Sequence, residues 1–306
     1  MISPYRLQQR SDLLQAVRSF FRARAYLEVD TPIRLPVLLP ETHIKPYCSE
    51  GWFLQTSPEQ CMKRLLAHGC GQLFQICHCF RKEEVGRLHQ GEFTLLEWYH
   101  VGWSYRELMQ ECEEFIRALC ACQDLAGIAG ESLRRGERTV SLAAPWERLT
   151  VHEAFRRYAR LEVEEALRQD RFDEVLVTEI EPHLGWERPV FLHDYPVELA
   201  SLAKRRADAP TVAERFELYI AGIELANGFS ELTDPAEQRQ RFNEEIRRSR
   251  ASGNVYAAMP ERFLADLGNL GATAGVALGL DRLLMLLLGC ASVAEVITLP
   301  WQYLEE

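Results

Sequence analysis

Two apolar stretches joined by a charged loop constrain the fold of this chain more than any other feature. Residues 73–80 and 92–100 are rich in aromatic and β-branched side chains, and a polar turn separates them. This pattern predicts two strands that pair as an antiparallel hairpin. The charged residues that interrupt the hairpin then require a structural explanation.

Charged side chains fall on a face of this hairpin where a core would need apolar ones. Strand side chains alternate between faces, which places Arg81 and Glu83 together at the end of the first strand. The same alternation groups four residues of the second strand: Phe93, Leu95, Glu97 and Tyr99. The loop adds Arg87 and His89, donors suited to an anion. Because burying charges without partners is costly, this face predicts the floor of a ligand-binding site. The alternative is a hairpin that has one solvent-exposed face and binds no ligand.

The composition excludes several classes of protein. With 306 residues, 47% hydrophobic and 26% charged, the chain is typical of a soluble globular protein. A net charge of −10 without a long Lys/Arg block argues against a protein whose main function is to bind the phosphate backbone of a nucleic acid. The longest apolar stretch, 280–290, contains two charges and is too short to span a membrane. The N-terminal residues lack a signal-peptide core, so we expect a cytoplasmic protein, and the nine cysteines are expected to be thiols.

Helices and strands alternate along the chain. Ser3 and Pro4 predict the start of a helix, and the strand expected at 27–33 is either the first layer of the domain or a dimer seam. Residues 34–50 are expected to be loop, and 124–147 a surface excursion. Further strands are expected at 53–57, 189–196, 216–220 and 223–231, with helices at 60–67, 105–122, 151–160, 162–185 and 235–252. Hairpins among helices indicate the α+β class.

A second polar stretch, residues 223–231, carries its own acidic and aromatic face. Alternation places Asn227, Phe229 and Glu231 together. Carboxylates on two walls, with a tyrosine beside them, suit an ammonium group on an aliphatic stem. The sequence therefore predicts a pocket for such a group between this stretch and the first hairpin.

The end of the chain offers features suited to phosphates. Glu217 and Glu224 stand across a turn at Gly222 and would suit Mg²⁺ held against phosphates, although Glu224 needs a bulge or twist to face the same way. Arg282 opens a helix after a glycine-containing strand, where backbone donors and the helix dipole favour an anion.

These stretches resemble the three motifs of class II aminoacyl-tRNA synthetases, at residues 26–32, 80–94 and 275–282. Residues 57–59, 96–99 and 224–234 resemble the lysine-specific branch. The resemblance implies an antiparallel sheet of six or seven strands flanked by helices, ATP and Mg²⁺ as cofactors, and a homodimer formed through the first motif.

The resemblance also implies a role for each matching residue. On the ATP side it implies Arg81 and Arg282 on the phosphates as catalytic residues, His89 near them, Glu83 and Phe93 at the adenine, and Glu217 and Glu224 on Mg²⁺. On the amino-acid side it implies Glu59 on the α-amino group, Glu97, Tyr99 and Glu231 on the ε-ammonium, and Asn227 and Phe229 lining the pocket.

Three differences from the lysyl-tRNA synthetases indicate a more specific family. The first motif begins at Tyr26, so we expect one catalytic domain over 1–306 without an anticodon-binding domain. Residues 35–43 lack the Gly-Gly pair, and Ala277 replaces a glycine beside the amino-acid backbone. The combination resembles the elongation factor P lysine ligase family, which activates lysine, preferably (R)-β-lysine, and transfers it to a lysine of elongation factor P.

The acceptor of the activated amino acid is the part of the reaction that residues alone leave open. The candidates are a tRNA, a protein lysine and a small amine. Paired Glu97 and Glu231 would repel a side-chain carboxylate, which disfavours asparagine synthesis, and the chain lacks a basic stripe for tRNA. On the family resemblance we expect elongation factor P as the partner; a non-catalytic binding module is the alternative from another class.

Overall fold

A computed structural model describes residues 2–122, 125, 130–251 and 257–304. Its strands are β1 (Leu27–Glu28), β2 (Arg34–Leu35), β3 (Cys48–Ser49), β4 (Trp52–Leu54), β5 (Gln72–Phe80), β6 (Glu92–Val101), β7 (Ser132–Arg135), β8 (Arg138–Ser141), β9 (Glu147–Thr150), β10 (Val190–Pro196), β11 (Val212–Ile220), β12 (Ile223–Ser230) and β13 (Thr273–Gly279). Its helices are α1 (Pro4–Ala23), α2 (Glu59–Ala67), α3 (Tyr105–Cys120), α4 (Val151–Tyr158), α5 (Val163–Arg168), α6 (Phe172–Val175), α7 (Pro235–Ala251), α8 (Glu261–Leu267) and α9 (Leu280–Leu287).

One large sheet organises the molecule. It has eight strands in the order β1-β5-β6-β13-β12-β11-β10-β9. Neighbours pair antiparallel except at the two ends, where β1 runs parallel to β5 and β9 runs parallel to β10. The predicted α+β class and flanked antiparallel sheet are therefore confirmed, and the short parallel end strands raise the expected six or seven strands to eight.

The predicted hairpin forms the middle of this sheet. Strands β5 and β6 pair antiparallel, with Gln75 opposite Glu97. Leu96 and Trp98 point to the main core, which is built with side chains of α1, α3 and α9. Alternation then turns the odd-numbered residues of β6 to the opposite face, as the sequence predicts.

Helix α1 packs across the core face of the sheet. Ser3 caps it, since its hydroxyl accepts a hydrogen bond from the Arg6 N–H at 3.3 Å. Val17 and Phe21 are buried against the sheet. The strand expected after this helix is shorter than predicted, because only Leu27–Glu28 pairs with β5 before the chain leaves the sheet.

The predicted surface excursion at 124–147 needs correction where the structure describes it. Residues 132–141 form the β7–β8 hairpin, and Leu133, Val140 and Trp146 are buried in the main core. Apolar side chains at these positions give the hairpin a face that must be covered, which the glycine-rich composition of the segment obscures. Residues 123, 124 and 126–129 lie outside the described residues.

Two expectations from composition concern membrane-spanning helices and the cysteines. Within the part of the chain that is described, no helix has both the length and the apolar character needed to cross a bilayer. All nine cysteines are free thiols, as expected.

Candidate active site

A cavity of about 440 Å³ opens on the face of the sheet opposite α1 and α3. Its floor consists of two rows of residues that are register partners across β6, β13, β12 and β11. The first row is Glu97, Ala277, Asn227 and Glu217, and the second is Tyr99, Gly275, Phe229 and Arg215. Residues from α2, from 41–44 and from the β5–β6 loop form the walls. The sequence-predicted faces of β6 and β12 therefore meet on one surface.

Glu97 lies at the acidic end of this floor and is buried. Tyr99 donates its hydroxyl hydrogen to one carboxylate oxygen, and Ser57 Oγ donates to the other at 2.7 Å. Burial, followed by the negative charge of Glu59, raises the pKa of Glu97 to about 8. A carboxylate with two neutral donors and no cation bonded to it would be stabilised strongly by an incoming ammonium group.

Lys63 of α2, which sequence reasoning missed, lies between two of the predicted binding residues. Its buried ammonium forms ion pairs with Glu59 and with Glu231, and it lies 5.1 Å from the centre of the Phe229 ring. Glu231 is buried beneath the cavity and pairs with this ammonium of the chain itself, so its contact with the substrate ammonium stays a prediction. Glu59 lines the cavity but shares the same cation.

The acidic end requires a glycine in β13. A Cβ atom on Gly275 would come 2.1 Å from Cε1 of Tyr99 and 2.8 Å from Oε1 of Glu231. Gly275 thus lets the Tyr99 ring lie flat across the strand. Ala277, two residues further on, carries its methyl group into the cavity lining, as the sequence predicts.

Arg282 dominates the opposite, basic end of the cavity. Its Nη1 donates to the Glu224 carbonyl oxygen at 2.8 Å, and its Nη2 donates to His89 Nε2 at 2.6 Å. Burial, and then the positive charge of Arg282, lower the pKa of His89. Since the guanidinium can only donate, His89 Nε2 accepts this hydrogen bond and holds Arg282 at the first turn of α9.

Arg81 lies between the two ends. Its guanidinium carbon is 5.2 Å from the centre of the Phe93 ring, and its contact with Glu84 is long, at 3.8 Å. The Arg81 Nε is buried and has no hydrogen-bond acceptor among the residues that the structure describes. This donor is available to an anionic ligand.

The structure corrects the predicted position of Glu83. Strand β5 ends at Phe80, so Arg81 and Glu83 do not share a strand face. Glu83 has a positive φ of 72° and an exposed side chain that pairs with Lys45 at 2.5 Å. It is absent from the cavity lining, and a contact with adenine would require the loop to move.

Glu217 and Glu224 both line the cavity because β12 contains a bulge. Leu218 pairs with Ala226 and Tyr219 pairs with Glu224, which leaves Leu225 as an extra residue. The bulge supplies the change of face that Glu224 needed. Glu217 accepts hydrogen bonds from three neighbours, Tyr195 at 2.5 Å, Tyr219 at 2.6 Å and Arg215 at 2.6 Å.

This pair of carboxylates is the candidate magnesium site. No group of three or more His, Cys, Asp or Glu side chains arranged for a metal occurs among the described residues. Mg²⁺ usually takes one or two carboxylates together with substrate phosphates and water. The Glu224 side chain is 37% exposed and weakly paired, 3.4 Å from Arg282 Nη1, so the pair fits a metal that arrives with a nucleotide.

Comparison with known proteins agrees with this arrangement. A family model described as tRNA synthetases class II (D, K and N) matches residues 4–302. The chain belongs to the class II tRNA synthetases. The elongation factor P–(R)-β-lysine ligase of Salmonella gallinarum is 39% identical over 303 residues, which cover 95% of this chain and 93% of that relative. The protein of the same name from Edwardsiella ictaluri is 38% identical over the same shares.

Membership of the class II synthetases confirms the family resemblance and makes this chain a ligase that uses ATP. Most residues that the resemblance marks for ATP and amino acid line the one cavity: Glu59, Arg81, His89, Phe93, Glu97, Tyr99, Glu217, Glu224, Asn227, Phe229, Ala277 and Arg282. Glu83 and Glu231 are the exceptions. Lys63 was missed because its pattern is that of an ordinary amphipathic helix; its position four residues after Glu59 was the available signal.

Proposed function

We propose that this class II synthetase activates lysine or (R)-β-lysine with ATP and transfers it to a lysine side chain of elongation factor P. The observation that carries the proposal is the polarity of the cavity. Glu97 and Tyr99 form an acidic and aromatic end of the space, Arg282 forms the opposite, basic end, and Arg81 lies between them. The relatives named elongation factor P–(R)-β-lysine ligase support the same substrates.

The first step would join the amino acid to AMP. A carboxylate oxygen of the amino acid attacks the α-phosphorus, the bond from that phosphorus to the oxygen bridging the β-phosphate breaks, and pyrophosphate leaves. The unpaired Nε of Arg81 and the guanidinium of Arg282 would stabilise the charge on the phosphate oxygens. Glu97 would hold the distal ammonium, so that the reacting carboxylate is oriented toward the phosphate.

Glu217 and Glu224 would hold Mg²⁺ when the nucleotide is bound. The ion would neutralise phosphate charge and favour departure of pyrophosphate. The hydrogen bonds from Tyr195, Tyr219 and Arg215 fix the Glu217 carboxylate in place. The chain itself thus contributes a carboxylate that is already positioned to bind the ion.

The second step would release AMP. The uncharged ε-amino group of the acceptor lysine attacks the carbonyl carbon of the adenylate, an amide forms, and AMP and a proton leave. An acceptor with one exposed lysine can reach the adenylate through the cavity mouth. We place this reaction in the cytoplasm, where a translation factor and ATP are both present.

We also propose a homodimer formed through α1 and the segment after it. The support is an unpaired edge at β1 and exposed apolar side chains nearby, with Tyr5 60%, Leu27 57% and Ile33 45% exposed. Analytical ultracentrifugation at micromolar concentration tests this arrangement. A monomer would contradict it.

Exchange of labelled pyrophosphate into ATP tests the adenylation step. We expect exchange that depends on lysine or (R)-β-lysine and is absent with glutamate or aspartate. Arg282→Ala should remove exchange while leaving the unfolding transition in place. Absence of exchange with both diamino acids would contradict the proposal.

A further inference from the structure

Glu41 is a cavity residue to which no role has been given. It belongs to residues 41–44, which form one wall of the cavity. Hydrogen bonds fix this segment on both sides. Thr42 N and Oγ1 donate to the Glu245 carboxylate of α7 at 3.2 and 2.6 Å, and Lys82 N donates to the Lys45 carbonyl at 2.8 Å. The wall is thus anchored to α7 and to the β5–β6 loop, and the position of Glu41 is set by both.

The carboxylate of Glu41 faces the cavity without a partner. No hydrogen bond or ion pair to it occurs within the described part of the chain. Burial, and then the negative charge of Glu59, raise the pKa of Glu41 to about 7, and Arg81 acts in the opposite direction. Such a group is stabilised most by a cation that the protein does not itself supply.

The carboxyl groups around the acidic end outnumber the cations there, and burial raises the pKa of Glu41, Glu97 and Glu231, so that these groups hold protons until a ligand supplies positive charge. Four carboxylates, of Glu41, Glu59, Glu97 and Glu231, lie there with a single buried ammonium, that of Lys63. Lys63 is bound to Glu59 and Glu231. Glu97 and Glu41 are left without a bonded cation, and a diamino acid carries two ammonium groups.

Arg81 decides which of these two carboxylates lies nearer the reaction. The segment that carries Glu41 is hydrogen-bonded to the residue that follows Arg81, through Lys82 N and the Lys45 carbonyl at 2.8 Å, and the charge of Arg81 lowers the pKa of Glu41. The hydrogen bonds of Glu97 instead come from Ser57 and Tyr99. In the proposed reaction Arg81 binds phosphate, so the carboxylate of the substrate lies beside it. The amino group nearest that carboxylate then lies on the Glu41 side, and the distal ammonium lies on the Glu97 side.

We infer that Glu41, beside the predicted Glu59, completes the subsite for the amino group next to the reacting carboxylate, and that Glu41 selects how many carbons separate this amino group from the carboxylate. This inference rests on the proposed function. A β-amino acid carries that amino group one carbon further from the carboxylate than an α-amino acid does. A carboxylate on a wall anchored at both ends holds a fixed position, so it distinguishes the two substrates by distance.

The test removes the charge of Glu41 and the amino group of the substrate separately. Pyrophosphate exchange is measured for wild type and Glu41→Gln with (R)-β-lysine, lysine and 6-aminohexanoate, which lacks the amino group near the carboxylate. We expect Glu41→Gln to lower kcat/KM about 10- to 100-fold for the preferred diamino acid and to leave 6-aminohexanoate unchanged. The ratio between (R)-β-lysine and lysine should also move toward one.

Glu50→Gln is the matched control, because Glu50 is an exposed carboxylate close in sequence. It should leave all three substrates unchanged. An equal loss for 6-aminohexanoate and the diamino acids would show that Glu41 only supports the wall, and would overturn the inference. Absence of exchange in wild type with either diamino acid would contradict the proposed function instead, so the two failures are distinguishable.

Discussion

Arg10 on the first helix forms a buried ion pair with Asp281 at the start of α9, with 2.7 Å between Nη1 and Oδ1. Arg10 Nη2 also donates to Thr94 Oγ1 at 2.6 Å, and Asp281 Oδ2 accepts from Thr94 N at 2.7 Å. This network joins α1, β6 and α9. It fixes the residue that precedes Arg282, and so connects the first helix to the basic end of the cavity.

Loss of the Arg10–Asp281 ion pair should destabilise the protein. Arg10→Met leaves the Asp281 carboxylate, 5% exposed, without its cation, and we expect the free energy of unfolding to fall by about 2 to 4 kcal/mol. Urea denaturation measures this change. The control is Arg6→Met, which removes the more exposed Arg6–Glu295 pair and should cost about 1 kcal/mol or less. Equal losses of unfolding free energy in the two variants would show that the buried network stabilises the protein no more than the exposed ion pair does.

A methyl group at Gly275 should displace Tyr99. Because the added Cβ would lie 2.1 Å from the ring, we expect Gly275→Ala to lower the free energy of unfolding by about 1 to 3 kcal/mol and to weaken lysine-dependent exchange. Gly271→Ala is the control, since its added Cβ meets nothing within 4 Å. Normal lysine activation by Gly275→Ala would contradict the packing described here.

Glu97 and Glu231 should respond differently to the loss of their charge. Glu97→Gln removes a partner of the substrate ammonium, so kcat/KM for lysine should fall by a factor corresponding to about 2 to 5 kcal/mol, with the fold retained. Glu231→Gln leaves Lys63 with Glu59 alone and should mainly lower the unfolding free energy. Paired exchange and denaturation measurements separate the two effects. The reverse pattern would reassign the distal ammonium to Glu231.

The ligand-free protein should lose stability as pH rises from about 5 to 8. Burial raises the pKa of Glu97 and of Glu231 to about 8, from 4.5. In this window the folded protein therefore binds more protons than the unfolded chain, and the free energy of unfolding falls with increasing pH. Thermal unfolding at pH 6 and pH 8.5 measures the difference. Glu97→Gln should flatten the dependence, and an unchanged slope would contradict the assignment.

Alternation along single strands was enough to predict the cavity floor. Glu97 and Tyr99 on β6, and Asn227 and Phe229 on β12, face one space because side chains in a strand change face at every residue. The position of Glu224 was not decided by alternation, since the bulge at Leu225 is a property of the pairing with β11.

Other parts of the site depend on how separate elements pack. Lys63 belongs to a helix whose sequence does not show that it lies beneath β12, so its ion pair with Glu231 was missed. Glu41 lies in a segment without a periodic pattern, and the hydrogen bonds of that segment to α7 and to the β5–β6 loop bring it to the cavity. Glu83 was misplaced because strand β5 ends at Phe80.

Transfer to the acceptor tests the central proposal most directly. The enzyme is incubated with ATP and labelled lysine or (R)-β-lysine, together with elongation factor P or with total tRNA, and the products are separated and identified by mass spectrometry. We predict one amide-linked residue on a lysine of the factor, with (R)-β-lysine preferred, and none after Arg282→Ala. Label that turns over on tRNA while the factor stays unmodified would contradict the account and make this chain a tRNA ligase.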